Sequence, residues 1–304
     1  GTNGEPLKDC VRAMPNALLV KEKERALFLR ILFSYLLNES TYDEIVFDEY
    51  KAEEIEPVLA YLKKNRIQFS ERRELCQQFN LKNARDEKQD PLTYLGKNVR
   101  HGFRRTLKDL GDDTHLEWAQ TEEQALDILE DLVAFYEDKW VRREGRGSMF
   151  HSEKYTAFHK ELVKKFMKKG NIMLTRLHCE RFGKLACSYF YLDGNVAYGY
   201  QVGQRDYFDL DTSLNMKKLK LGFVLHMLNM RACLEKGLHI YNHTMGGFRY
   251  KIELSNEQSE IVTLSIKRNL KPHIRQALFD TYEYIDNHKK LSKILWFVRT
   301  VTQK

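Results

Sequence analysis

The stretch KLACSYFYLDGNVAYGYQVGQ, Lys184–Gln204, decides the fold. Two runs rich in aromatic and β-branched residues flank Asp193-Gly194-Asn195, a strong β-hairpin signal. The second run, Val196 to Val202, leads through Gly203 and a charged segment to LGFVLHMLNMRACLEKG, Leu221–Gly237. That segment reads as a buried helix opening around Leu221-Gly222. LHIYNHTMGGFRYK, Leu238–Lys251, follows as a strand from Leu238 to His243 and a Gly-Gly turn. A helix start offers unpaired backbone N–H groups and the positive end of a dipole, which suits a pyrophosphate.

The bulk properties bound the rest. The chain has 304 residues, net charge +7, and 42% hydrophobic and 12% aromatic residues. It can bury a real core and is not expected to be disordered. Its length suggests roughly two domains. No apolar run approaches the ~20 residues that span a bilayer, and no signal peptide opens the chain. The five cysteines, Cys10, Cys76, Cys179, Cys187 and Cys233, are scattered and form no C-x-x-C pair. A zinc or disulfide framework is therefore not expected, and a reducing cytoplasm is the simpler setting. The positive charge suits an anionic cofactor, nucleic acid or a membrane surface without choosing among them.

Before the hairpin, Glu22 to Leu37 reads as a helix apolar on most sides, hence well buried. Asp43 to Phe47 reads as a strand, and Glu53 to Lys64 as a helix with Pro57 in its first turn. Arg66 to Ser70 and Leu75 to Leu81 read as two further strands, and Asn83 to Gln89 as a charged connector. Leu95 to Leu110 carries an apolar stripe at Leu95, Val99, Phe103, Leu107 and Leu110, with a basic remainder. Thr114 to Ala119 is a strand, and Thr121 with Gln124 forms a capping box opening a helix. Ser152 caps the next helix, and Ile172 to Cys179 is a strand. Beyond the Gly-Gly turn come a strand, Ile261 to Lys267, and two helices, from Pro272 to about His288 and from Lys290 to Val301.

From Thr114 onward this order resembles that of a GNAT acyltransferase domain. GKLACSYFYLDGNVAYGYQVGQRDYFDL resembles the family's central hairpin and the loop after it. EKGLHIYNHTMGGFRYK resembles its closing strand and Gly turn, and LGKNVRHGFRRTLKDLG resembles the basic helix linking two GNAT-like halves. Together they are similar to the CelD-type branch, annotated for cellulose biosynthesis, and to its FemA/FemB-type aminoacyl transferase relatives. Asn242 stands where the family often has Asp, and the Ser-Pro-Gly before its buried helix is absent. The resemblance implies an α/β (α+β) GNAT fold: a mixed, mostly antiparallel sheet flanked by helices. The expected layout is an N-terminal GNAT-like half at 1–90 and a linking helix at 91–112. An acyltransferase domain at 113–270 and a helical extension at 271–304 complete it.

It also implies acetyl-CoA or another acyl-CoA as co-substrate, no metal, and direct attack by an acceptor amine or hydroxyl on the thioester. The acceptor is expected to be a small molecule or saccharide, such as a sugar or envelope precursor. Aminoacyl-tRNA is the alternative donor, and a non-catalytic scaffold a third reading. Contact with a membrane surface is left open.

The co-substrate is expected along Ala197, Gly199, Gln201, Val202 and Gly203, with an oxyanion donor from a backbone N–H there. Its phosphates are expected at Lys217, Lys218, Lys220, Leu221, Gly222 and Phe223. The catalytic candidates are Asp206 as acid or base, Tyr250 as proton donor to the thiolate, and Tyr200, which faces either the cleft or the core. Arg104, Arg105 and Lys251 are candidates for holding the acceptor; the two arginines read equally as a solvated helix face. His226 reads as a core residue. His239 and His243 lack a third ligand at metal spacing.

Overall fold

The computed structural model describes residues 15–38, 43–139, 150, 152–205 and 219–267. The two C-terminal helices expected beyond Pro272 lie outside the described residues. The described chain falls into two compact units: 15–73 with 261–267, and 74–260.

In the smaller unit, helix α1 (Arg25–Asn38), strand β1 (Glu44–Lys51) and helix α2 (Ala52–Lys64) are joined by most of strand β8 (Glu257–Lys267). β1 pairs antiparallel with β8. Leu29, Phe33, Phe47, Ile55, Leu59, Leu62, Val262 and Leu264 form the core. Two expectations are corrected. α1 buries only Leu29 and Phe33, while Leu27, Ile31 and Tyr35 are more than half exposed. Pro57 lies beyond the first turn of α2, as the sixth residue of a helix that starts at Ala52.

The larger unit holds β2 (Ser70–Asn80, from Glu74), α3 (Leu81–Asp86), α4 (Lys97–Leu110), β3 (His115–Trp118), α5 (Glu122–Glu137) and α6 (Glu153–Phe166). β4 (Ile172–Cys179), β5 (Gly183–Asp193), β6 (Val196–Gln204), α7 (Leu221–Glu235), β7 (Ile240–Met245) and α8 (Arg249–Glu253) follow. The strand order is β2-β7-β6-β5-β4-β3. Among the described residues of this unit, the β6–β7 pair is parallel, and the β2–β7, β3–β4, β4–β5 and β5–β6 ladders are antiparallel.

Alternation along the strands splits the core into two layers. Met173, Leu185, Phe190, Ala197 and Tyr241 pack with Val99 and Phe103 of α4 and with Leu221, Val224 and Leu225 of α7. Leu174, Cys187 and Tyr189 point the other way, onto Ile128, Leu129 and Leu132 of α5 and Val163 of α6. The mixed, mostly antiparallel sheet flanked by helices is the expected architecture.

Local signals behave as their chemistry dictates. Gly194-Asn195 closes the hairpin between β5 and β6. Thr121 and Gln124 form the complete capping box of α5, and Ser152 caps α6. Two segments differ from expectation. The two strands expected over 66–81 are one, β2. The connector after it starts with helix α3, nucleated by Asn80, whose side chain accepts the Asn83 N–H at 3.2 Å. Residues Arg249 to Glu253 close the Gly turn as a short helix. Four cysteines, Cys76, Cys179, Cys187 and Cys233, are buried and in no disulfide among the described residues. Among the described residues no helix is long and apolar enough to cross a membrane.

Candidate active site

The site grows from the parallel ladder of the larger unit. β6 and β7 pair at Val196↔Ile240, Ala197↔Tyr241 and Tyr198↔Asn242, and the ladder stops there. From Gly199 on, β6 keeps only its antiparallel partner β5. Two local features accompany the parting. The register slips between Tyr189↔Gln201 and Phe190↔Gly199, so Tyr200 is an extra residue in a β-bulge. On β7, Thr244 takes φ +61, an outlier for a β-branched residue, with its N–H held by Asn242 Oδ1 at 2.7 Å.

Two adjoining cavities, about 410 and 290 Å³, open here. The first is walled by Gly199, Gln201, Val202, Thr244 and Phe248 and floored by Phe190, His226 and His243. The second reaches Gln204, Lys220, Gly222 and Phe223 at the start of α7. Val202, His226, Tyr250 and Lys139 line both.

The α7 end is open. Lys220 before it gives no side-chain cap. The amides of Phe223 and Val224 turn back to the Lys220 carbonyl at 2.9 and 3.1 Å, while those of Leu221 and Gly222 have no partner among the described residues. The Lys220 N–H is held by Thr106 Oγ1 of α4 at 3.0 Å. Such an end presents donors and partial positive charge to an anion.

Burial sets the protonation of the groups on the floor. Lys251 is 7% exposed, and desolvation lowers its ammonium pKa to about 8. It donates to the Met245 carbonyl. Burial and the Lys251 charge push His226 down to about 3, so it is neutral; its Nδ1 lies 2.8 Å from the Tyr241 hydroxyl. Burial likewise holds His243 well below its usual range. Tyr250 stacks on the His226 ring at 5.7 Å, and burial raises its phenol pKa.

The expected residues separate into groups. Gly199, Gln201, Val202, Tyr200, Tyr250, Lys251, Lys220, Gly222 and Phe223 come together on the cavities. Ala197 and Leu221 are fully buried and line neither. Gly203 has a packing reason: a Cβ there would stand 2.9 Å from the Leu132 carbonyl of α5. Tyr200 shows its ring to the cavity, but its hydroxyl is engaged by Tyr155 at 2.5 Å and His159 Nε2 at 3.0 Å. Arg104 and Arg105 lie on α4 and line neither cavity. Asp206, Lys217 and Lys218 lie outside the described residues.

Sequence reasoning missed Thr244 and Tyr136 as cavity residues, and it weighed His226 and His243 as bases only to set them aside. His226 is both core and cavity floor. α7 is apolar all round, so periodicity could not say which face turns to the cleft.

A family model described as "Acetyltransferase (GNAT) domain" matches residues 97–252. Solved structures share the fold. One described as FemX aligns at TM-score 0.56 and 11% identity over 87% of this chain and 81% of that one. The C-terminal domain (DUF2156) of a putative lysylphosphatidylglycerol synthetase from Agrobacterium fabrum aligns at TM-score 0.55 and 12% identity, covering 86% and 78%. L-PGS from Bacillus licheniformis aligns at TM-score 0.54 and 12% identity, covering 84% and 77%. No curated protein sequence matches the chain.

Proposed function

The chain belongs to the acetyltransferase (GNAT) domain family, and from that premise we propose that it transfers an acyl group from acyl-CoA to an amine or hydroxyl. The acceptor class we propose is a saccharide or other small envelope-type precursor. The observation that carries this reading is the end of the β6–β7 ladder at Tyr198/Asn242, with a cavity running from there to the uncapped start of α7.

The residues divide the work. The β7-facing backbone groups of Gly199–Gly203 make no ladder with β7, so they are available to the amides of a pantetheine arm. The open amides of Leu221 and Gly222, with Lys220, suit the pyrophosphate. An N–H at the Tyr200 bulge stabilises the oxyanion in this reading. Lys251, titrating near 8 beside the cavity, takes the acceptor's proton as its nitrogen or oxygen attacks the thioester carbonyl. Collapse of the tetrahedral intermediate breaks the C–S bond. The thiolate then takes a proton from Tyr250, whose hydroxyl, unlike that of Tyr200, has no hydrogen-bond partner among the described residues. His226 stays neutral and holds the Tyr250 ring in place. Asp206 is retained as an acceptor-binding or acid–base group.

A second reading, an aminoacyl-tRNA donor as in FemA/FemB-type enzymes, is favoured by one observation. Lys97, His101, Arg104 and Lys108 are exposed at i, i+4, i+7 and i+11 on one stripe of α4. That helix packs on the α7 start, where a Cβ on Gly102 would meet Lys220 at 3.6 Å. Thermal shift separates the two. Acetyl-CoA at a hundredfold its Kd should stabilise the chain by about 2.7 kcal/mol. No shift with acetyl-CoA, together with steeply salt-dependent tRNA binding, would replace the first reading by the second.

A further inference from the structure

Far from this cleft, β3 forms the outer strand of the larger unit's sheet. In its register with β4, His115 lies directly across from His178, and Glu117 sits two residues along on the same face. The three side chains bring ligand atoms within 4.8 Å of one another. The imidazole rings are tilted, 5.4 Å apart.

The remaining bonding capacity of each residue points to a shared cation. His115 Nδ1 lies 2.8 Å from the Asp113 carbonyl. A carbonyl only accepts, so Nδ1 carries the proton and Nε2 keeps its lone pair. Glu117 engages the Arg176 guanidinium through Oε2 at 2.6 Å and turns Oε1 towards His115 Nε2 at 3.9 Å. Arg176 is itself neutralised by Asp127 and Asp131, both at 2.5 Å, so its charge is spread over three carboxylates. His178 Nδ1 is buried with no hydrogen-bond partner among the described residues.

We propose that His115, His178 and Glu117 form a binding site for a divalent transition-metal ion, zinc being the representative. Two imidazoles and one carboxylate select a borderline ion over magnesium or calcium, which prefer all-oxygen sets. Ligand atoms around such an ion stand about 3.3 Å apart, given bonds of about 2.0–2.1 Å. The exposed His115 side chain, at 55%, can rotate through the difference. The ion ties β3 to β4, the last two strands of the sheet among the described residues. Residues 115 and 178 are too distant in sequence for ligand spacing to reveal them.

The test is calorimetric titration of the untagged chain, in a Cys10→Ser background, with zinc chloride and with magnesium chloride. One zinc per chain is expected, with no magnesium heat. His115→Ala should weaken zinc at least tenfold, and Glu117→Gln by less. Zinc should raise the melting temperature of the parent chain but not of His115→Ala. His115→Gln, which keeps a polar strand residue, guards against a folding artefact and should behave as the alanine variant does. Unchanged zinc affinity in both His115 variants, or no zinc uptake by the parent chain at about a hundred micromolar, overturns the site.

Discussion

Strand β6 is two structures end to end. Over Val196–Tyr198 it is a laddered strand between β5 and β7, with Ala197 and its partner Tyr241 fully buried. Over Gly199–Gln204 it has β5 alone, and the opposite edge faces a cavity. Aliphatic and aromatic residues occur on both sides of the junction, Val196, Ala197 and Tyr198 before it and Tyr200 and Val202 after it. The difference lies in the neighbour. β7 departs at Asn242 and bends through Thr244, while one extra residue at Tyr200 re-aims β6. Pairing consumes backbone groups for stability; parting leaves them for a ligand.

The strongest way to break this contrast is to remove the buried amine that lines the cavity of the parted half. Lys251→Met should lower kcat by about 10²–10⁴ if Lys251 is the base. In the parent, kcat/KM should rise with pH and level off above about 8, because the neutral amine is the active form. The variant should lose that rise; a retained inflection near 8 assigns it to another group. Stability carries a second sign. The folded-state pKa of Lys251 lies below its unfolded value, so the unfolded state binds more protons between about pH 8 and 10. Its contribution to stability should therefore increase with pH across that window and be flat below it. Lys251→Met should remove the increase, read by denaturant titration at several pH values.

A pair of glycines sharpens the comparison. A Cβ at Gly199 would meet the Phe190 ring at 3.2 Å and the Asn242 carbonyl at 3.3 Å, at the fork itself. Gly199→Ala should raise KM for the thioester donor about tenfold, on the order of 1.4 kcal/mol, with little loss of stability. A Cβ at Gly203 would strike the α5 backbone instead. Gly203→Ala should destabilise by about 1–3 kcal/mol and leave donor KM near the parent value in the folded fraction. Interchanged outcomes would mean that the cavity is not the donor site.

Smaller effects belong to the phosphate end. Replacing Lys217, Lys218 and Lys220 together should weaken CoA several-fold and a dephospho analogue less. Equal weakening would remove a phosphate role. Asp206→Asn should lower turnover without changing the melting temperature, and unchanged turnover would take Asp206 out of the mechanism.

Much of this framework was legible in the residues. The two-residue turn after Asp193, the capping box at Thr121 and the apolar stripe of α4 are local signals, and each sits where its chemistry puts it. Non-local matters were not legible. Charged β2 reads as two fragments because its pairing with β7 is set by residues 160 or more positions away. Burial of α1 was overestimated because an all-round apolar helix carries no face information, and the same blindness hid His226. The parting of β6 from β7 depends on the backbone of Thr244, whose side chain gives no hint of a positive φ. Gly203 looked like a ligand contact and proves to be an α5 contact, since a glycine reports close approach without naming what approaches.

Amide hydrogen exchange along β6, with and without saturating acetyl-CoA, tests the central claim most directly. Val196–Tyr198 should be protected in both conditions, and the amides of Gly199–Gly203 that face away from β5 should gain protection only when acetyl-CoA is present. If those amides exchange at the same rate with acetyl-CoA bound, the donor lies elsewhere and the parted strand is not the site of transfer.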